Sequence, residues 1–327
     1  MKILVTGADG FLGNNIIREL LVRKYDVKVF LQKNRPDTFN ELKIEKYTGD
    51  ILEPESIIEA SQDCDFIIHT AANTSVWPSK SKIVREVNIK GTQNIVNASL
   101  KNKIKRLVYI GTANSFGFGT INNLGNETKE FNSQKYGLDY ITSKYEAQQF
   151  VIDSVKNKGL NAIILNPTFM IGPFDFKPTN RSLLLALING ALPGYSKGGR
   201  NFLHIKDAAF ATCNALEKGK IGECYILGNE NLTYKEFYKI AATQLKTKRP
   251  KLLIPKPFIL FYGLLSETIA FITKKEPTLS YKMSKISIDT NFFSSEKAVK
   301  ELGLPQTPIA TAIDDAVDWF KSNNVIN

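Results

Sequence analysis

The chain has 327 residues, of which 43% are hydrophobic and 23% are charged, a composition typical of a soluble globular protein with one or two domains. The formal net charge is +11, but the lysines are scattered, with only small clusters at 101–106 and 246–251. No recognisable nucleic-acid-binding module accompanies them, so we expect solvated faces and a positive field that suits an anionic cofactor or substrate. With two histidines, a histidine-rich metal site is excluded, and we predict no metal.

The cysteines and the apolar stretches bear on the cellular compartment. Cys64, Cys213 and Cys224 lie far apart without a CxxC pair, which is typical of a reducing, cytoplasmic compartment. The chain enters directly into a predicted strand, so we expect no signal peptide. The longest apolar stretch, Phe258–Ser266, is shorter than the roughly 20 residues that span a bilayer, so we expect no stable membrane insertion.

Strands and helices alternate along the first two thirds of the chain. Strands are predicted at Lys2–Thr6, Asp26–Leu31, Lys43–Tyr47, Asp65–His69, Arg106–Ile110, Ala162–Leu165 and Glu223–Leu227. Helices are predicted at Phe11–Leu21, Glu53–Ala60, Ile83–Leu100, Leu138–Lys156, from Thr233 onward, near Phe258–Ile272 and near Ile309–Lys321. This alternation predicts an α/β fold with a doubly wound parallel sheet of the Rossmann type.

Proline and glycine become frequent after residue 167, which indicates a change of organisation. We predict a dinucleotide-binding domain over residues 1–169, with a returning segment near 200–228. Residues 170–199 and 229–327 are predicted to form a smaller C-terminal substrate-binding cap over the ends of the strands.

A glycine-rich turn joins the first predicted strand to the first helix. Gly7, Gly10 and Gly13 follow the strand Lys2–Thr6 at a spacing of three, and an amphipathic pattern begins at Phe11. Such a turn brings free backbone N–H groups and the positive end of a helix dipole to an anionic pyrophosphate. Gly7 would allow the tight turn, Gly10 the approach of the phosphate, and Gly13 the packing of the helix on the strand.

Tyr140 and Lys144 are the candidate catalytic pair. They are four residues apart on the predicted helix Leu138–Lys156 and therefore share one face. An ammonium group nearby would lower the pKa of a phenol and make it a usable proton donor or acceptor. The Thr112 hydroxyl, just after a strand, could hold a substrate carbonyl beside that phenol.

The spacing alone is a weak signal, because Tyr281 and Lys285 repeat it. Position favours Tyr140, because it follows the strand and loop that carry Thr112 and because ligands bind outside the carboxyl ends of parallel strands.

Eight segments in order resemble the extended short-chain dehydrogenase/reductases, and the resemblance extends over about two thirds of the chain. They are TGADGFLG (Thr6–Gly13), GDI (Gly49–Ile51), HTAA (His69–Ala72), NIKGT (Asn88–Thr92), GTANSFG (Gly111–Gly117), YITSK (Tyr140–Lys144), NPTFMIGP (Asn166–Pro173) and FLHIKDAA (Phe202–Ala209).

The resemblance implies roles for named residues. Tyr140 would be the general acid/base, Lys144 its partner on the nicotinamide ribose, and Thr112 the hydroxyl at the family's Ser/Thr position. Asn88 resembles an asparagine that braces the active-site helix. The implied cofactor contacts are Gly7, Gly10, Phe11, Leu12, Gly13, Asp50, Ile51, Ala71, Ala72, Lys144, Pro167 and Thr168. His69, His204 and Asp207 are expected to be structural.

The residues after the second strand bear on the choice of cofactor. An NAD site usually places a carboxylate about 20 residues beyond the glycines, on the ribose 2′-hydroxyl. Here the segment after Leu31 carries no carboxylate but contains Lys33 and Arg35, which could meet a 2′-phosphate. We therefore predict NADP(H) in preference to NAD(H).

The substrate is less sharply defined by the sequence. The NPT segment and the proline-rich apolar cap look most like dihydroflavonol-reductase-like and 3β-hydroxysteroid-dehydrogenase-like members, which interconvert carbonyls and alcohols on apolar molecules. The alternative is a nucleotide-sugar epimerase or dehydratase, and Arg200 resembles an arginine that grips a nucleotide diphosphate. A dehydratase would also need an acidic residue just after Thr112, where Ala113 and Asn114 stand.

Three further expectations follow. A non-catalytic dinucleotide-binding regulator is disfavoured by the intact set of Thr112, Tyr140 and Lys144. Gly111 and Asn166 depart from the family's usual Ser/Thr-rich lead-in and arginine, respectively.

The helices predicted over 83–100 and 138–156 form a dimer in many relatives, which predicts a homodimer here.

Overall fold

Two β-sheets organise the chain, and the computed structural model describes them through residues 1–33, 39, 42–176 and 183–326. The strands are β1 (Lys2–Thr6), β2 (Asp26–Leu31), β3 (Glu45–Thr48), β4 (Phe66–His69), β5 (Arg106–Ile110), β6 (Ala162–Pro167), β7 (Phe169–Ile171), β8 (Gly199–His204), β9 (Cys224–Leu227), β10 (Glu230–Thr233) and β11 (Thr290–Asn291). The helices are α1 (Phe11–Val22), α2 (Pro54–Ser61), α3 (Lys82–Arg85), α4 (Gly91–Lys101), α5 (Asp139–Lys158), α6 (Leu183–Ile188), α7 (Ile205–Asn214), α8 (Tyr234–Gln244), α9 (Lys256–Thr273), α10 (Tyr281–Ile288), α11 (Glu296–Leu302) and α12 (Ile309–Ser322).

The larger sheet has seven parallel strands in the order β3-β2-β1-β4-β5-β6-β9. This order confirms the doubly wound sheet predicted from the sequence. Thr6 pairs with His69, and His69 pairs with Tyr109, so neighbouring strands end level with one another. The loops that follow the strands therefore meet at one edge of the sheet.

Helices cover both faces of this sheet because its strands present apolar side chains in both directions. Ile3 and Val5 on β1 pack with residues of α1 and α7 in one core. Leu4, between them in sequence, points to the opposite face and packs with residues of α2, α4 and α5. Alternate side chains of a strand point to opposite faces, so a continuous apolar run is what a strand buried on both faces requires.

A smaller sheet forms beside the ends of the large one. In it β8 pairs with β7, β10 and β11. The predicted boundary near residue 169 falls between β6, in the large sheet, and β7, in the small one. Within the predicted returning segment, β8 lies in the small sheet, whereas β9 lies in the large one.

The helix predicted over 83–100 is divided into three parts. Between α3 and α4 the backbone forms a π-helical turn at Glu86–Lys90, with wider hydrogen-bond spacing than an α-helix. The apolar periodicity continues across the turn, so the sequence pattern predicts one continuous helix. The turn carries the buried Asn88.

α9 corrects an expectation about membranes. The apolar stretch Phe258–Ser266 is part of an 18-residue helix, which is long and apolar enough by length and composition to cross a membrane. Only 17% of its residues are buried inside the protein. The reasoning from the shorter stretch was therefore wrong about length, because the helix begins earlier, at Lys256, and ends later, at Thr273.

We expect Gly13→Ala to destabilise the fold. A Cβ at Gly13 would lie 2.2 Å from the Gly7 carbonyl oxygen and 3.0 Å from the Ala8 Cα, which are both backbone atoms. Overpacking of this kind lowers the free energy of unfolding by about 1–3 kcal/mol. Chemical denaturation measures this change.

Gly10→Ala is the matched control. A Cβ at Gly10 would meet only the Gly7 oxygen, at 3.1 Å, on exposed backbone with a negative φ. The control should change stability by less than about half as much. Equal losses in the two variants would contradict the packing argument.

Candidate active site

A cavity of about 250 Å³ opens at the carboxyl edge of the large sheet, between that sheet and the C-terminal cap. Most of its wall is apolar, and none of the lining residues is acidic. The lining residues are Val76, Thr112, Ala113, Asn114, Leu138, Tyr140, Ile141, Pro167, Thr168, Phe169, Arg200, Asn201, Met283, Ile286, Asn291 and Phe293. Four residues predicted for the site, Thr112, Tyr140, Pro167 and Thr168, are therefore brought together.

The glycine turn has the geometry of an anion cradle. Gly7 has a φ of +67°, a conformation that favours glycine, and a Cβ there would lie 2.5 Å from the Ala71 nitrogen. Gly10 immediately precedes α1, and no side chain caps the helix. The first turn, which contains Phe11, Leu12 and Gly13, carries no acidic residue. Its backbone N–H groups and the helix dipole therefore favour an anion.

Two other predicted cofactor segments lie at the same edge of the sheet. Asp50 Oδ1 accepts a hydrogen bond of 2.9 Å from the Leu52 backbone and so shapes the turn after β3. The Ile51 carbonyl accepts a 2.9 Å bond from Asn94. After β4, the Ala71 nitrogen lies 3.4 Å from Thr6 Oγ1, and Ala72 follows it, half-buried. These contacts fix the backbone and leave partly exposed surface beside the glycine turn.

Of the two cations predicted to select the cofactor, the structure describes one. Lys33 is exposed in the turn that follows β2. Arg35 lies outside the described residues. No carboxylate occurs in the sequence from Gln32 to Arg35.

Tyr140 and Thr112 face each other across the cavity floor. Burial raises the pKa of the Tyr140 phenol, and a hydrogen bond with the Thr112 side chain offsets part of this rise. Thr112 is 6% exposed, and its hydroxyl oxygen accepts a 3.4 Å hydrogen bond from the Asn114 backbone. The phenol is therefore protonated at neutral pH, which corrects the expectation that Lys144 lowers its pKa here.

Lys144 has no side-chain carboxylate as a partner among the described residues. Its Nζ donates a 2.6 Å hydrogen bond to the Ile110 carbonyl and lies 4.6 Å from the centre of the Tyr109 ring. Burial lowers its pKa to about 7. The ammonium is thus directed at the end of β5 rather than at the phenol of Tyr140.

The π-helical turn fixes the helix that carries both residues. Asn88 is 1% exposed and donates hydrogen bonds to Ser143 Oγ, at 2.9 Å, and to the Asn73 carbonyl, at 3.1 Å. Its own Oδ1 accepts from the Asn73 nitrogen at 2.8 Å. Ser143 precedes Lys144 on α5, so the prediction that Asn88 braces this helix is confirmed.

The two departures from the family pattern are in contact. Asn166 Nδ2 donates to the Thr112 carbonyl at 3.0 Å and to Gln148 Oε1 at 2.6 Å. A Cβ on Gly111 would lie 2.4 Å from that same Nδ2. Glycine at 111 therefore makes room for the amide at 166, and this amide fixes the backbone of Thr112.

The sequence did not predict five lining residues from the second half of the chain, and three of these come from α10 and β11. Met283 and Ile286 come from α10, and Asn291 comes from β11. Asn291 is 6% exposed, and neither atom of its amide has a hydrogen-bond partner among the described residues. No local motif marks these residues, because only the packing of the cap brings them to the cavity.

Arg200 forms the cationic part of the wall. Its Nε donates a 2.6 Å hydrogen bond to the Tyr234 hydroxyl, and its guanidinium lies 5.0 Å from the centre of the Phe169 ring. Arg200 pairs with Asn291 across strands β8 and β11. Arg200 and Asn291 therefore lie on neighbouring strands and add a guanidinium and an amide to the mainly apolar wall.

The three residues that we expected to be structural contact neighbouring residues within the fold. His69 is 1% exposed, with Nδ1 2.7 Å from Thr6 Oγ1, and burial lowers its pKa to about 3. His204 accepts from the Lys206 nitrogen and caps α7. Asp207 accepts two hydrogen bonds, both from Thr307.

Tyr281 and Lys285, the second tyrosine–lysine pair with this spacing, contact each other. Lys285 Nζ lies 4.6 Å from the centre of the Tyr281 ring, on α10. Neither residue lines the cavity that contains Tyr140 and Thr112.

Comparison with known proteins identifies the family of the chain and several related enzymes. A model of the NAD dependent epimerase/dehydratase family matches residues 3–228. The putative dihydroflavonol 4-reductase of Synechocystis sp. is 30% identical over 98% of this chain and 95% of its own length. The decarboxylating sterol-4-alpha-carboxylate 3-dehydrogenase of Candida albicans is 27% identical over 98% of both chains.

A solved structure has the same fold over nearly the whole chain. The crystal structure of gox2253 superposes with a TM-score of 0.86 at 30% identity, and the match covers 99% of both chains. With the family match extending over more than half of the sequence, the chain belongs to the NAD dependent epimerase/dehydratase family and is an NAD(P)-dependent oxidoreductase of the extended short-chain dehydrogenase/reductase type.

Proposed function

We propose that this enzyme uses NADP(H) to interconvert a ketone or aldehyde and an alcohol on a small, mainly apolar substrate. The observation that carries the proposal is the convergence of the Tyr140 phenol and the Thr112 hydroxyl on an apolar cavity at the carboxyl edge of the sheet. A carbonyl oxygen held between two hydroxyl groups is polarised and has a proton donor beside it.

The residues present fit a dinucleotide. The uncapped start of α1 and the glycine turn, in which Gly7 has a positive φ and Gly10 is exposed, would hold its pyrophosphate. Asp50 and Ile51 would border the adenine, and Ala71, Ala72, Pro167 and Thr168 would border the remainder. When bound, the nicotinamide supplies or takes up the hydride. Lys144 would donate to its ribose.

Tyr140 supplies the proton chemistry in this proposal. During reduction, its phenol donates a proton to the carbonyl oxygen as the carbonyl carbon gains a hydride. During oxidation, the phenolate takes the proton back from the alcohol as the hydride leaves the carbon. Burial raises the pKa of Tyr140, so the phenol is protonated at neutral pH, which is the form that donates the proton during reduction.

The cavity wall supports an apolar substrate that carries one further polar group. Met283, Ile286 and Phe293 give apolar contact, whereas Arg200 and Asn291 offer a cation and an amide to a further polar group. The related proteins named as a dihydroflavonol reductase and a sterol-4-alpha-carboxylate dehydrogenase support the same class of substrate.

A nucleotide-sugar epimerase or dehydratase is the second candidate, and Arg200 is the observation that favours it. Against a dehydratase, the described lining residues include no carboxylate, and Ala113 and Asn114 follow Thr112. The distinguishing experiment follows NADPH absorbance with a panel of apolar aldehydes and ketones, and tests UDP- and dTDP-sugars in parallel. NADPH consumption with carbonyls supports the reductase, whereas sugar turnover without net NADPH use supports the epimerase.

The homodimer predicted through the helices over 83–100 and 138–156 and the cytoplasmic compartment belong to the same proposal. All three cysteines are buried and free, which is compatible with a reducing compartment.

Tyr140→Phe should lower kcat by about 10²–10⁴-fold, the range associated with a lost general acid. Its dissociation constant for NADPH should remain within about twofold of the wild-type value, since the phenol is not proposed to bind the cofactor. Steady-state kinetics and a fluorescence titration measure the two quantities.

Tyr145→Phe is the matched control, because Tyr145 lies on the same helix but stacks on Phe131, with ring centres 4.2 Å apart, and does not line the cavity. It should retain wild-type turnover. Retained turnover in Tyr140→Phe would refute the assigned role.

The cofactor preference is tested by titrating the protein with NADPH and NADH. We expect tighter binding of NADPH, and Lys33→Ala should weaken NADPH by about tenfold while leaving NADH unchanged, because one charge-assisted hydrogen bond contributes roughly 1.5 kcal/mol. Lys156→Ala, an exposed lysine at the far end of α5, should change neither. Binding of NADH at least as tight as that of NADPH would overturn the preference.

The lowered pKa of Lys144 predicts a pH-dependent stability. Between about pH 7 and 10 the unfolded chain holds a proton on this lysine that the folded protein has released, so stability rises with pH. From pH 7 to 9 the free energy of unfolding should increase by on the order of 2 kcal/mol more in the wild type than in Lys144→Met. Urea denaturation at the two pH values measures this, and identical pH dependence would contradict it.

A further inference from the structure

α9 presents an apolar face to solvent. Eight of its large apolar or aromatic side chains have exposed fractions between 47% and 78%. They are Phe258, Phe261, Tyr262, Leu264, Leu265, Ile269, Phe271 and Ile272. Adjoining exposed apolar side chains in such number mark a site of interaction, since single exposed apolar residues are ordinary but contiguous patches are not.

The opposite face of α9 packs against α10 and sets the orientation of the helix. Ile259, Gly263 and Ala270 are its buried residues. A Cβ on Gly263 would lie 2.6 Å from Ser284 Oγ of α10, so the two helices are in close contact. Glu267 accepts a 2.8 Å hydrogen bond from the Tyr281 nitrogen at the start of α10. α9 is thus held along the surface of the cap with its apolar side outward.

Positive charges flank α9 in the sequence on both sides. Before and at the start of the helix, and directly after its end, the exposed cations are Lys246, Lys248, Arg249, Lys251, Lys256, Lys274 and Lys275. Glu267 is engaged with α10, and Glu276 is the acidic residue that follows the last two lysines. An apolar helix face with basic ends matches a bilayer surface, where acyl chains lie beneath anionic headgroups.

We propose that α9 docks this protein onto a membrane surface that contains anionic phospholipids. The helix lies in the interface with its apolar face among the acyl chains, while the flanking lysines contact the headgroups. A second copy of the chain would bring like charges together at the helix ends, whereas anionic lipid neutralises them. The packing of α9 on α10 favours lying on the membrane over crossing it. The inference does not depend on the proposed reaction.

Trp77 provides a spectroscopic probe of this face. Its ring packs edge-on against Phe271, with ring centres 4.8 Å apart. The chain has two tryptophans, so Trp319→Phe leaves Trp77 as the single emitter. Phosphatidylcholine vesicles that contain roughly one third phosphatidylglycerol and some brominated lipid should quench its fluorescence, since the ring lies beside the docked face.

Vesicle flotation tests the docking itself. The wild type should float with the anionic vesicles, bind pure phosphatidylcholine at least about tenfold more weakly, and dissociate as salt screens the lysines. The double variant Phe261→Glu and Leu265→Glu should reduce the bound fraction by about tenfold or more, because it places two charges in the apolar face.

The matched control places the same charges on exposed apolar residues elsewhere. Val22 and Ile221 are 76% and 52% exposed, and their double glutamate variant should bind vesicles like the wild type. Thermal unfolding of both double variants shows whether the fold is retained.

Three results would overturn the proposal. The first is a wild type that fails to float. The second is a double variant of α9 that remains folded and floats equally well. The third is an unquenched Trp77 in bound protein, because that would place another face on the membrane. Light scattering supplies a further contradicting outcome. A wild-type dimer that the α9 variant converts to a monomer, without any vesicle binding, would assign the face to a second copy.

Discussion

The buried amide of Asn166 holds the active-site edge of the sheet together. It is fully buried at the end of β6 and donates both to the backbone of Thr112 after β5 and to Gln148 on α5. Parallel strands bring these chain segments to one edge, but they do not set their spacing to within the reach of a hydrogen bond. The buried amide sets this spacing, because an N–H group of Asn166 that lost its acceptor would cost about 1–3 kcal/mol. Thr112 and Tyr140 therefore face each other on a preorganised frame.

This arrangement gives a physical reason for the two departures from the family pattern. Any Cβ at position 111 would collide with the amide at 166. Asn88 supports the same helix from its other side through Ser143. The proton chemistry thus depends on a frame of neutral amides and hydroxyls, while the buried lysine of α5, Lys144, is directed at a backbone carbonyl. Neutral partners hold α5 in place without adding a charge to an apolar cavity.

The seven parallel strands were predictable from the sequence, because continuous apolar runs such as Lys2–Thr6 are typical of strands buried on both faces. The glycine turn, Tyr140 and Thr112 could be placed by the same reasoning, since a parallel sheet gathers its strand ends. The π-helical turn could not, because apolar periodicity continues through it. Asn291 and Met283 escaped prediction because their position depends on how the cap packs, and a two-residue strand has no periodicity to detect.

α10 contacts both the active-site cavity and α9. Met283 and Ile286 line the cavity, and Ser284 between them contacts Gly263 of α9. A docked α9 would therefore bring one wall of the cavity close to the bilayer, where an apolar substrate is concentrated in a thin layer. The rate of such an enzyme would depend on the mole fraction of substrate among the lipids rather than on its bulk concentration. Adding inert lipid would dilute the substrate in two dimensions and slow turnover, even at constant total substrate.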